Sequence, residues 1–122
     1  MIVVHADEVK GFVAAPPHER TLKVLLSPSL QDVSDGLGMG MVILPPGLTS
    51  WLHSHAEAQE VWYVVSGSGR IRIGDEEAEL RPDTIVVAPA GVEHQLFNTG
   101  TEDLKAIWLF TPAGPEMQVE YE

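Results

Sequence analysis

The sequence predicts an all-β domain, a sandwich or barrel, and three observations carry that prediction. Nine prolines and eleven glycines are scattered along the chain, and few windows longer than about ten residues escape both, which leaves little room for long helices. Between the breaks lie short runs rich in Val, Ile, Trp, Tyr and Thr, the residue types that fit a pleated, half-buried surface. Turn signals separate the runs at close spacing, the pattern of many short strands in one sheet system.

In chain order, a helical turn near Ala6–Val9 or in the loop Ser27–Gly38 is weakly signalled. Strands are expected at Thr21–Leu26 and Met39–Leu44, the second ended by Pro45-Pro46-Gly47. Glu60–Val65 follows, then Gly67-Ser68-Gly69, then Arg70–Ile73 and the turn Gly74-Asp75. Thr84–Ala88 lies between Arg81-Pro82-Asp83 and Pro89-Ala90-Gly91. His94–Asn98 ends at Asn98-Thr99-Gly100, and Leu104–Phe110 and a last run at Met117–Tyr121 complete the set. There is no internal repeat.

The 122 residues are enough for one domain with a real core, and a single domain over 1–122 is expected. No apolar run reaches the length of a membrane span, and the N-terminus lacks a basic region followed by a long apolar one, so it reads as mature sequence. Eighteen acidic residues against seven basic ones give a net charge of −11, which repels phosphate backbones and anionic lipid. Neither nucleic acid nor membrane is an expected partner. With no cysteine, disulfides and thiolate metal sites are excluded, and any metal must be held by N and O ligands. The same absence fits the reducing cytoplasm.

The stretch His53-Ser54-His55-Ala56-Glu57-Ala58-Gln59-Glu60 carries the chemistry. In a strand, His53 and His55 point the same way with Cα atoms about 6.6 Å apart, close enough for two imidazoles to share an ion. Glu57 has the same parity, but on a straight strand it lies about 13 Å from His53, too far for bonds near 2 Å. A turn at Ala56–Gln59 instead brings Glu60, at the start of an antiparallel return strand, opposite the histidines. Glu57 is then a solvated turn residue. His94, after the turn Pro89-Ala90-Gly91, is the candidate fourth ligand. Three histidines and a carboxylate suit Fe, Mn, Ni, Cu, Co or Zn, and disfavour Ca²⁺ and Mg²⁺. An isolated His-x-His pair more often decorates an exposed edge, so the wider context matters.

That context is a family resemblance. Gly47-x5-His53-x-His55-x4-Glu60-x6-Gly67 resembles the first motif of the cupin superfamily at every position. Asp83-x5-Pro89-x-Gly91-x2-His94-x3-Asn98 resembles the second, with Asp83 where the family usually has glycine. Asp after Pro82 can also occupy a turn. The motifs span 47–67 and 83–98. The resemblance implies a double-stranded β-helix, the small cupin jelly-roll barrel, with one divalent transition metal held by His53, His55, Glu60 and His94. It also implies that Pro89 and Gly91 shape the turn presenting His94, that Gly67 ends the strand carrying Glu60, and that Asn98 is structural.

Parity selects a candidate pocket: Trp62 and Val64 share a face with Glu60, Trp51 with His53 and His55, and Leu96 with His94, while Gln59 adjoins Glu60. Core packing and ligand contact remain open for Trp51 and Trp62, and Trp108 and Phe110 read as core. Arg70 and Arg72 read as facing solvent or a partner. His18, Glu19 and Arg20, after Pro16-Pro17, read as a surface loop, although an N-terminal segment could cover the mouth. The resemblance points to a metal-dependent enzyme (dioxygenase, isomerase, decarboxylase or lyase) acting on a small oxygen-rich keto, hydroxy or sugar acid. The alternative is a small-ligand binding or sensing module without turnover. Unpaired sheet edges, and the family's habit, lead to an expected homodimer through strands of the N-terminal half.

Overall fold

The computed structural model describes residues 1–113; the expected run at Met117–Tyr121 lies outside the described residues. Among the described residues nine strands form: β1 (Phe12–Val13), β2 (Thr21–Leu26), β3 (Gly38–Leu44), β4 (Gln59–Ser66), β5 (Gly69–Ile73), β6 (Glu76–Leu80), β7 (Ile85–Ala88), β8 (His94–Phe97) and β9 (Leu104–Thr111). A 3-10 turn, Ala6–Glu8, is the helical turn anticipated near Ala6; residues 27–38 contain no helix. No helix among the described residues is long and apolar enough to cross a membrane.

Seven of these strands coincide with expected runs to within one residue at each end. Two do not. β6 reads Glu-Glu-Ala-Glu-Leu, a composition poor in β formers, and it exists because the tight turn at Gly74-Asp75 folds it back on β5, Gly69 opposite Leu80. β1 is two residues long and owes its existence to pairing with β2, Phe12 opposite Leu22.

All pairings are antiparallel. The larger sheet runs β1-β2-β3-β9-β4-β7 and the smaller β6-β5-β8. Isolated bridges Thr49–Phe97 and His53–His94 add the segment after β3 to the free edge of β8. The two sheets close as a double-stranded β-helix. β9 alternates buried and half-buried residues along its full length, so that Leu104, Ala106, Trp108 and Phe110 face inward. Leu44, Val64, Ile71 and Leu104 are each at most 1% exposed and fill the space between the sheets.

The motif residues set the turns. Gly67 has φ +85°, and a Cβ there would sit 2.3 Å from the Asp103 carbonyl oxygen, so only glycine fits. Asp83 has φ +67° and is the single non-glycine residue with positive φ among those described, so it takes the turn conformation for which the motif favours glycine. Its backbone N–H donates to Val64 O at 2.8 Å, and its carboxylate accepts a hydrogen bond from the Tyr63 hydroxyl. Asn98 is buried; its Nδ2 donates to Leu44 O and Glu102 O, both at 2.8 Å, and its Oδ1 accepts from Gly100 N at 2.9 Å.

Candidate metal centre

One loop and two strands build the centre. His53 and His94 form a hydrogen-bonded antiparallel pair: His53 N donates to His94 O at 3.2 Å, and His94 N donates to His53 O at 2.9 Å. Gly91 N donates to His55 O at 2.8 Å, which ties the first motif loop to the turn before β8. Glu60 enters from the other sheet as the second residue of β4, opposite Ala88 on one side and Phe110 on the other. The expected turn is present, with bends at 56–57, and Glu57 is exposed. The expected hairpin is not. The histidine segment pairs with β8 in the small sheet, whereas β4 pairs with β7 and β9, so Glu60 faces the histidines across the gap between sheets.

One ligand atom each from His53, His55, Glu60 and His94 lies within 4.8 Å of the others. Glu60 Oε1 is 3.0 Å from His55 Nε2 and 3.1 Å from His94 Nε2. Bonds of about 2.1 Å place neighbouring octahedral ligands about 3 Å apart, so these separations are consistent with a metal site. Hydrogen bonds orient the imidazoles. His53 Nδ1 lies 2.8 Å from Trp51 O, and His94 Nδ1 lies 3.2 Å from Val92 O. A carbonyl only accepts, so each Nδ1 carries the proton and each Nε2 keeps its lone pair for an ion.

Electrostatics point the same way. Burial, the largest influence, holds the His53 pKa below its ordinary value, and the neighbouring His94 and His55 add to the depression against opposition from the Trp51 carbonyl and Glu60. Burial alone would raise the Glu60 pKa; contacts with His55 and His94 outweigh it and hold the carboxyl below its usual range. Neutral imidazole and ionised carboxylate are the forms that bind a metal.

A cavity of about 360 Å³ opens over the cluster. Its walls include Trp51, Trp62 and Leu96, three of the five expected pocket residues. Two others are elsewhere. Val64 has the inward parity of Glu60 but is 0% exposed in the core beyond the cavity. Gln59 is exposed, and its Nε2 donates to Thr111 Oγ1 at 3.0 Å, because the residue before an inward-facing glutamate points outward. Trp108 and Phe110 belong to the core and also line the cavity.

Arg20 corrects the sequence reading most. Expected in a surface loop, it is only 4% exposed and lines the cavity. Its Nη1 donates to His18 O at 2.9 Å, and its guanidinium carbon lies 4.3 Å above the Trp51 ring centre. His18 is half-buried, with Nδ1 3.0 Å from Thr49 O, so this segment packs beside the mouth. The position directly before β2 was the one sequence signal for Arg20, because a strand's first residues inherit its alternation.

Residues 40–110 match the family described as the cupin domain. The chain is a cupin. It is 26% identical over 119 residues to the tetracenomycin polyketide synthase protein TcmJ of Streptomyces glaucescens, covering 96% of this chain and 79% of that one. An oxalate-binding protein of Thermotoga maritima is 29% identical over 62 residues, 51% of each chain. The crystal structure of a predicted oxalate decarboxylase from Thermotoga maritima superposes with a TM-score of 0.82 at 22% identity, covering 91% of this cupin and 99% of that chain. At that identity the likeness speaks for the fold alone.

Proposed function

We propose that this cupin binds one divalent transition metal through His53, His55, Glu60 and His94 and acts as a metal-dependent enzyme on a small oxygen-rich acid. The observation that carries the proposal is the convergence of four ligand atoms within 4.8 Å at one wall of an open cavity. When bound, such an ion supplies a Lewis acid for a carbonyl or hydroxyl pair, or an O₂ site if it is iron. The protein's own part is to orient the imidazoles through Trp51 O and Val92 O and to surround the ligand with the apolar side chains of Trp62, Leu96, Trp108 and Phe110. The cavity volume is at the small end of ligand pockets, which span ~300–1,000 Å³, so the substrate is a small molecule. The oxalate-binding relative agrees with a small acid.

A specific observation favours a second reading, a binding or sensing cupin without turnover. Apart from the four ligands, the polar side chains on the cavity wall among the described residues are Arg20, Ser50 and Ser54. None is an ordinary general base at neutral pH. We also propose a homodimer: the edge strand β1 presents Phe12 and Val13 at 44% and 66% exposure, apolar area that a second copy would cover.

Metal analysis of protein purified without an affinity tag, followed by a screen of keto, hydroxy and sugar acids with an oxygen electrode, tests these readings. Stoichiometric metal with turnover of one acid supports the enzyme. Saturable binding without turnover supports the sensor, and absence of metal overturns the enzyme reading.

A further inference from the structure

We propose that Arg20 is the anion-binding residue of this cavity, so that the ligand is a small carboxylate held between the guanidinium and the His53-His55-Glu60-His94 cluster. The argument begins with an uncompensated charge. Arg20 is 4% exposed, and a buried charge is normally paired with an opposite one. Among the described residues no carboxylate pairs with Arg20. One of its five N–H groups is accounted for by His18 O, and its face is covered by Trp51. Burial lowers its pKa from the ordinary value, but a guanidinium remains charged at neutral pH.

Among the described residues the only carboxylate on the cavity wall is Glu60, and it is engaged with His55 and His94. The fork of Arg20 is therefore left for a ligand, and planar carboxylates match that fork with two parallel hydrogen bonds. With a divalent ion in place, the ion, Glu60 and Arg20 together give the cavity a charge of about +2. An anion entering it is drawn inward although the whole chain carries −11.

Trp51 is the positioning residue. The residue is 46% exposed; its ring carries the guanidinium, and its carbonyl holds His53 Nδ1. One residue therefore spaces the anion site from the first metal ligand. A small molecule that reaches both carries a carboxylate and a further oxygen donor, as 2-hydroxy and 2-oxo acids do. This choice of class rests on the metal reading above; the part of Arg20 in holding a carboxylate does not.

The test titrates the full chain with lactate and with 1,2-propanediol, which share a hydroxyl and differ in the carboxylate, while metal content is measured on the same samples. Arg20→Met keeps the stem and removes the charge. Lactate affinity should fall by roughly ten- to a hundredfold, the loss expected for one charge-assisted pair, with 1,2-propanediol binding and metal content unchanged. Arg20→Lys should show a smaller loss, because it keeps the charge and loses the fork. Trp51→Ala, which leaves the carbonyl to His53 in place, should weaken lactate and keep the metal. Equal lactate affinity in wild type and Arg20→Met overturns the proposal whether or not metal is present, and so does a wild type that binds neither lactate, pyruvate nor glyoxylate. Metal-free wild type that still loses lactate affinity on Arg20→Met overturns the metal reading and supports this one.

Discussion

His53 and His94 come from different motifs, 41 positions apart, yet they exchange both backbone hydrogen bonds, at 3.2 and 2.9 Å, and their rings lie 4.5 Å apart centre to centre. The two halves of the His53-His55-Glu60-His94 cluster that come from the motifs are thus joined by main chain. Glu60, approaching from the opposite sheet, completes it.

That arrangement sets the ligand set apart from its neighbours. Glu60→Ala and His94→Ala should each reduce metal affinity by more than the ~10–100-fold typical of losing a partner that merely orients a ligand. Glu57→Ala, an exposed change, should leave metal content as in wild type. Elemental analysis of the purified variants decides; metal retained by Glu60→Ala and lost by Glu57→Ala would reverse the assignment.

The pH dependence follows from His53. Its pKa in the fold is depressed, so the unfolded chain takes up its proton first as pH falls. The stabilisation is complete above the unfolded value of about 6.5 and is lost as pH falls through the lower folded value. A bound ion lowers the histidine pKa values further. Chelator should therefore reduce Tm more at pH 8 than at pH 5.5, and the chelated protein should stay folded at both, held by its apolar core. An equal chelator effect at the two pH values would show that these histidines do not hold the ion. Unfolding on chelation at pH 8 would show that the metal sustains the fold.

Asn98 should act on stability alone. Asn98→Ala removes two donors and one acceptor and leaves the carbonyls of Leu44 and Glu102 short of partners, a loss of about 2–4 kcal/mol in urea unfolding. The folded fraction should retain its metal. A change below about 0.5 kcal/mol would mean that water replaces the side chain at no cost.

Assembly is measured by light scattering at micromolar concentration. A dimer is expected, and replacing Phe12 and Val13 together by serine should shift it toward monomer. A wild-type monomer removes the proposal.

Most of the fold and all four clustered residues were legible in the sequence, because both rest on short-range rules. Turn residues with fixed φ requirements punctuate the strands, and the period of two put Glu60 with Trp62 and His94 with Leu96 on inward faces. Tertiary structure decided the rest. Parity gives a face and not a depth, so it could not separate Trp62, beside the cavity, from Val64, which lies in the filled core. The local pattern of β6 is almost wholly polar, and pairing with β5 alone makes it a strand. The partner of the histidine segment is β8 rather than β4, since sheet closure selects among edges that are equivalent along the chain. Arg20 looked like a surface residue because its neighbours are Pro, His and Glu. The ring that covers its face belongs to Trp51, thirty-one positions later, and contacts between residues so distant are fixed by packing of the whole barrel and not by any local pattern.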